Sequence, residues 1–244
     1  MDAIFTFHSI DDGGSVLSYR AADLRAALEG LLEDGVRIVP LSELLREDPS
    51  GRARAALTFD DGLRSVHRLA LPVLRDLGLP ALVYVVTDRV GGDNRWPGQD
   101  PAVPRFELMT WAELRELADC GISIGSHTRT HASLDRLPEP EIESELALSR
   151  RRIEDELGVP ARHFAFPCGA YDERSLRHAA RVYDTAVTTE MRFLARARDP
   201  HRLPRIESYY LRSAGRHRPW FGRRTRAYLT ARAFLRGIRR GRPG

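Results

Sequence analysis

Residues 53–59 form a mostly apolar run that stops in two adjacent aspartates, Asp60 and Asp61, followed by Gly62. A short apolar run of this kind reads as a buried strand. Carboxylates placed just after it sit at the strand's C-terminal tip. The rest of the chain repeats the same alternation. Apolar runs at 4–8, 36–40, 81–86, 122–126, 163–166, 185–188 and 203–206 predict further strands. Segments with helical spacing fall between them, at 21–32, 42–46, 66–77, 110–118, 138–157 and 173–181. Ser42 and Thr110 are the expected N-caps. Gly78 and Gly158 are the expected helix stops, and Pro72 falls near the start of its helix. Strands that alternate with helices and lack an apolar–polar alternation of their own call for parallel pairing under helical cover. A long loop at 87–109, rich in glycine and proline, is the exception, and loops of that length are usually functional or disordered.

The second feature is His127-Thr128-Arg129-Thr130-His131, after the predicted strand at 122–126. Histidines four apart can share one face of a single helical turn. One carboxylate and two imidazoles form a metal set that leaves coordination positions open, the catalytic rather than the structural arrangement. One of the two aspartates is then free to act as a base. Zinc suits such a mixed nitrogen and oxygen set.

With 244 residues, 42% hydrophobic and 30% charged, the chain can bury one sizeable core. Cys120 and Cys168 are too few and too far apart for a disulfide framework. The N-terminus reads as a first strand rather than a secretory signal, so a cytoplasmic location is expected. No apolar stretch of about 18 residues predicts a membrane span. All 38 basic residues are arginine, and none of the 34 acids lies beyond Glu207. From Arg212 onward there are 11 arginines and no acid, so residues 1–211 carry a net negative charge and residues 212–244 a strongly positive one. Apolar residues between 219 and 240 recur at helical spacing, which predicts a basic amphipathic helix. Peripheral contact with an anionic membrane is the expected use of that tail. Packing on the acidic body and binding of a polyanion are its alternatives, and nucleic acid is not an expected partner.

Thr58-Phe59-Asp60-Asp61-Gly62 and Ser126-His127-Thr128-Arg129-Thr130-His131 resemble the first two motifs of the polysaccharide deacetylases, the NodB-homology or carbohydrate esterase 4 family. Phe164 to Asp172 is similar to the third motif. Phe7-His8-Ser9-Ile10 resembles the opening of the exopolysaccharide-type branch. The resemblance spans residues 3–207. It implies an α/β fold, a distorted (β/α) barrel of about seven parallel strands with its site at the strand C-termini. It implies Asp61, His127 and His131 as metal ligands and Asp60 as the base. It also implies an N-acetylated oligo- or polysaccharide as substrate; the expected cytoplasmic location adds a lipid-linked glycan at the inner membrane face as one form of it.

The sequence departs from the family pattern in two places. No late Leu-x-His motif supplies the acid for the leaving amine. His178, His201 and His217 lie in polar or arginine-rich surroundings. His8 is the expected acid, because it ends the first strand and the exopolysaccharide-type branch that it resembles uses an early histidine. In the third motif Ala165 stands where an arginine is usual and Cys168 where a tyrosine is usual. Cys168 still offers a backbone N–H to an oxyanion, and Arg205 is the expected substitute for the base-orienting arginine. Trp96, in the long loop, suits either a sugar ring or ordinary packing. Two rivals stand beside the deacetylase reading: another amide or imide hydrolase on the same scaffold, and an inactive glycan- or polyanion-binding module.

Overall fold

The structure is a computed structural model that describes residues 1–212 and 218–240, with side chains to residue 235. His217 lies outside the described residues. Among the described residues eight strands form one sheet, every named pair parallel. The chain begins with β1 (Asp2–Phe7), adds a small pair, β2 (Ser9–Ile10) and β3 (Ser18–Tyr19), and enters α1 (Ala21–Glu33). Next come β4 (Arg37–Ile38), α2 (Leu41–Leu44), β5 (Arg54–Phe59), α3 (Leu71–Asp76) and β6 (Leu82–Val85). The second half runs through α4 (Trp111–Asp119), β7 (Ser123–Ser126), α5 (Glu139–Leu157), β8 (His163–Ala165), α6 (Glu173–Val182) and β9 (Thr185–Val187). It closes with β10 (Ile206–Glu207) and α7 (Arg223–Arg240).

The sheet order is β10-β1-β5-β6-β7-β8-β9, with β4 also on β5. This is the seven-strand distorted barrel that the motifs imply. The distortion has a local cause at β5. Its N-terminal half pairs with β4 and its C-terminal half with β6, so two strands share one edge. Leu203 pairs with Val187 of β9, and Ile206 pairs with Phe5 of β1. One short segment therefore closes the gap between the two ends of the sheet. Phe7, Leu57, Phe59, Val83 and Ile124 are buried beneath the helices in the main core.

Three local expectations are corrected. Helix α2 starts after Pro40 without a side-chain cap, and Ser42 is exposed within it. The helix expected over 66–77 is two pieces: a π-helical turn, Val66–Ala70, then α3 with Pro72 in its first turn. Proline lacks an N–H and is tolerated only where no intrahelical bond is needed, so the wide turn ends where the α-helix begins. The segment 127–131 is not helical. Thr128 and His131 have φ of 68° and 65°, which no α-helix contains.

The front of the basic tail packs on the body. Trp220 and Leu229 are buried in the main core, and the Trp220 ring meets Phe5 edge-on at 5.9 Å. Arg218 reaches Glu33 and Asp34 at the end of α1, both at 2.7 Å. Phe234 and Leu235 remain exposed. The tail's apolar residues are thus split between the core and the surface instead of sharing one free face. Among the described residues no helix is long and apolar enough to cross a membrane.

Candidate active site

Four non-glycine residues have positive φ among those described: Asp61, Thr128, His131 and Cys168. Each costs on the order of 1 kcal/mol or more. All four lie on the loops at the strand C-termini. Asp61, His131 and Cys168 line one cleft of about 480 Å³, together with His8, Asp60, His127, Arg205 and Glu207. The strain is concentrated where side chains must converge.

Strand β5 carries Asp60 and Asp61 into this cleft. The Asp60 N–H donates to Phe7 O of β1 (2.9 Å), which sets Asp60 beside His8. The left-handed turn at Asp61 and Gly62 sends the two carboxylates in different directions. Gly62 is required there: its φ is 72°, and a Cβ would sit 3.1 Å from Val85 Cγ1. Strand β7 delivers His127 and the loop behind it. Gly125 lets that strand pass close to its neighbours, since a Cβ would lie 2.7 Å from His163 O and 2.8 Å from the Tyr84 ring.

The His127 Nδ1–H donates to Ala165 O at 2.8 Å, which fixes its tautomer and leaves the Nε2 lone pair facing Asp61. The Thr128 hydroxyl donates to His127 O and accepts from the His131 N–H, turning the loop back on itself. Buried Glu145 of α5 accepts from the Arg129 and Thr130 N–H groups at 2.8 and 3.0 Å and from the Thr130 hydroxyl at 3.0 Å. The His131 ring stacks on Trp96 with centroids 4.1 Å apart.

His127 Nε2 and His131 Nε2 lie 3.5 and 3.6 Å from Asp61 Oδ1, and all three ligand atoms fall within 4.8 Å of one another. Around a zinc ion with bonds of 2.0–2.1 Å, tetrahedral ligands are roughly 3.3–3.5 Å apart. The donor set therefore fits a divalent cation. Electrostatics agree: burial pushes the Asp61 carboxyl up from its ordinary value, and burial holds His131 well below its own. A cation would relieve the first cost and needs the neutral imidazole that the second provides.

Asp60 is committed to another partner. Arg205 Nη1 and Nη2 donate to its two oxygens at 2.6 and 2.7 Å, with both side chains buried. The guanidinium also donates to Thr188 O (3.0 Å) and to the Thr6 hydroxyl (2.9 Å). Burial works against the ionised carboxylate, but Arg205 outweighs it and holds Asp60 well below the usual carboxylate range. His8 is partly buried between two acids. Its Nε2 is 3.9 Å from Asp60 Oδ2 and its Nδ1 is 3.8 Å from Glu207 Oε1. Burial lowers its pKa, and Glu207, Asp60 and Asp61 together raise it above the ordinary histidine value.

The structure thus brings together Asp60, Asp61, His127, His131, His8 and Arg205, with exposed Cys168 on the cleft wall. His178 and His201 are not among the lining residues. Trp96 is 5% exposed, packed with Leu63, Val86 and Leu108, and still borders the cleft, so its packing and site positions coincide. Sequence reasoning did not single out Glu207, Glu145, Tyr209 or Tyr210. Glu207 carried a faint signal: it lies two residues after Arg205, and alternate residues of a strand share a face.

The family profile described as polysaccharide deacetylase matches residues 47–186. The chain belongs to the polysaccharide deacetylase family. Within the family it is 27% identical over 208 residues to YxkH of Bacillus subtilis, covering 83% of this chain and 70% of that one. It is also 27% identical over 133 residues to the poly-beta-1,6-N-acetyl-D-glucosamine N-deacetylase of Escherichia coli K12, covering 50% of this chain and 20% of that protein. In fold it resembles IcaB from Ammonifex degensii, with a TM-score of 0.75 at 23% identity, covering 87% of this chain and 95% of the other. The Streptococcus pyogenes deacetylase PplD aligns with a TM-score of 0.72 at 22% identity, covering 84% and 91%.

Proposed function

We propose that this protein is a divalent-metal-dependent N-deacetylase that hydrolyses the acetamide of an N-acetylated amino sugar in a glycan. The observation that carries the reading is the convergence of Asp61, His127 and His131 beside the Asp60–Arg205 pair and His8 in one cleft. The Escherichia coli relative named for poly-beta-1,6-N-acetyl-D-glucosamine supports an amino-sugar polymer as the substrate class. The uneven charge along the chain favours a glycan carried on an anionic lipid surface.

Asp61, His127 and His131 would hold the ion, with zinc the favoured identity. Bound there, a divalent ion supplies Lewis-acid polarisation of the acetyl carbonyl and lowers the pKa of an attacking water. Asp60 takes the proton of that water. Each carboxylate oxygen keeps a second lone pair after Arg205 is satisfied, so the base stays both ionised and available. Its weak basicity suits a water that is already acidified. The main-chain N–H of Cys168 is assigned to the oxyanion. His8, whose protonated form Glu207 and Asp60 favour against burial, gives its proton to the departing amine.

The test is acetate release from N-acetylglucosamine oligomers together with metal analysis. One bound divalent ion and metal-dependent release are expected. Bound metal without release from any amino-sugar polymer would move the reading to another amide. Neither metal nor release would leave a binding module.

A further inference from the structure

Helix α7 turns one face inward and one outward. Thr225 and Leu229 are buried and Tyr228 is half-buried on the inward side, where the Tyr228 hydroxyl donates to Tyr210 O at 3.2 Å. Helical periodicity places Ala227, Thr230, Ala231 and Phe234 on the opposite side, and all four are exposed. Phe234 is 70% exposed, the highest value among the large apolar side chains described, and Leu235 beside it is 52% exposed. Arg223, Arg224 and Arg226 are exposed on the first turn of the same helix.

We propose that this outward face docks the protein on an anionic lipid surface and so brings the cleft to glycans held there. The charge is complementary: Arg223, Arg224 and Arg226 are exposed on this helix, and no acid follows Glu207 in the sequence. Guanidinium groups pair with phosphate oxygens in a fixed fork. Phe234 supplies what charge alone does not, an apolar side chain that can enter the boundary between headgroups and acyl chains, and Leu235, exposed at the edge of that face, adds to it. A nucleic-acid backbone would satisfy the arginines but would leave Leu235 and the alanine strip nothing to bury. The helix also lies next to the cleft. The Arg232 guanidinium sits 5.4 Å above the Tyr210 ring, and Tyr209 and Tyr210 line the cleft. A surface touching α7 is therefore beside the entrance. The substrate half of this inference rests on the N-deacetylase reading; the docking half does not.

The experiment is co-sedimentation of the full chain with vesicles of phosphatidylglycerol and phosphatidylcholine, against phosphatidylcholine alone, with acetate release from a soluble oligosaccharide measured in parallel. Binding is expected only with the anionic vesicles, and it weakens as salt rises. Phe234→Glu with Leu235→Glu should reduce vesicle affinity by about tenfold or more, since each loses its apolar burial. A triple Arg223→Gln, Arg224→Gln, Arg226→Gln variant should fall comparably. Both should match the parent on the soluble substrate. The proposal is overturned if the parent ignores anionic vesicles or if neither variant changes binding. It is equally overturned if a short DNA duplex is bound while vesicles are not, or if the variants lose soluble activity, which makes α7 a structural brace. Vesicle binding without acetate release would sink the deacetylase reading and leave the docking intact.

Discussion

Arg205 donates to both oxygens of Asp60, at 2.6 and 2.7 Å, across 145 residues of sequence. An arginine just before the last strand thus meets Asp60, which the third motif, with Ala165 in the usual arginine position, cannot do. Arg205→Ala leaves a buried carboxylate without its counter-charge and should cost about 3–5 kcal/mol in urea denaturation. Arg205→Lys keeps the charge but loses the fork. It should fold, retain metal, and show a kcat lower by about tenfold or more. A lysine variant with parental kcat would show that orientation of Asp60 is irrelevant.

Proton transfer should separate cleanly from metal binding. Asp60→Asn is expected to keep its metal and lose kcat by about 10²–10⁴. His8→Ala should behave the same way, with metal content unchanged. Full activity in His8→Ala would remove it from the mechanism.

The pH profile offers a signed test of the acid. His8 must be protonated to act, and its pKa is raised, with Glu207 the nearest anion that raises it. Its active form is therefore complete at low pH and is lost as pH rises through the raised value. The alkaline limb of kcat/KM should therefore follow the charges that face His8. Glu207→Gln removes a raising charge and should move that limb to lower pH. The bound ion is common to both enzymes, so the comparison isolates Glu207. No movement of the limb would assign it to another group.

Metal content gives the most direct check on the ligands. Chelation should abolish acetate release and added zinc should restore it. His127→Ala and His131→Ala should each fall from about one ion per chain toward none. Cys168→Ala, by contrast, should retain metal and keep kcat within about threefold, because the role given to that residue belongs to its main chain.

The strand tips were readable because their signals are local. Residues 53–59 and 122–126 announce buried strands by composition alone, and the charged residues after them must emerge at one end of a parallel sheet. Arg205 was readable only as a substitute for something missing, since nothing near it in sequence points to Asp60. The shape of 127–131 was not readable. Its histidine spacing matches a helical turn, but Glu145, on a helix that follows, binds the Arg129 and Thr130 N–H groups and stabilises left-handed residues instead. Glu207 was hidden for a similar reason, because its meaning comes from His8 at the other end of the chain. In the tail, periodicity identified the helix, but which side of it faced the protein is shown only by the burial of Thr225 and Leu229.

The segment 203–207 carries Arg205 to Asp60, the proposed base, and Glu207 to His8, the proposed acid, while joining β9 to β1. A slip of one residue in that join would turn both side chains to the opposite face. Base and acid would fail together, in a molecule whose core and metal ligands were otherwise unchanged. Turnover thus doubles as a readout of assembly: a chain that has not latched its final strand in register can be folded, can bind an ion, and yet is silent.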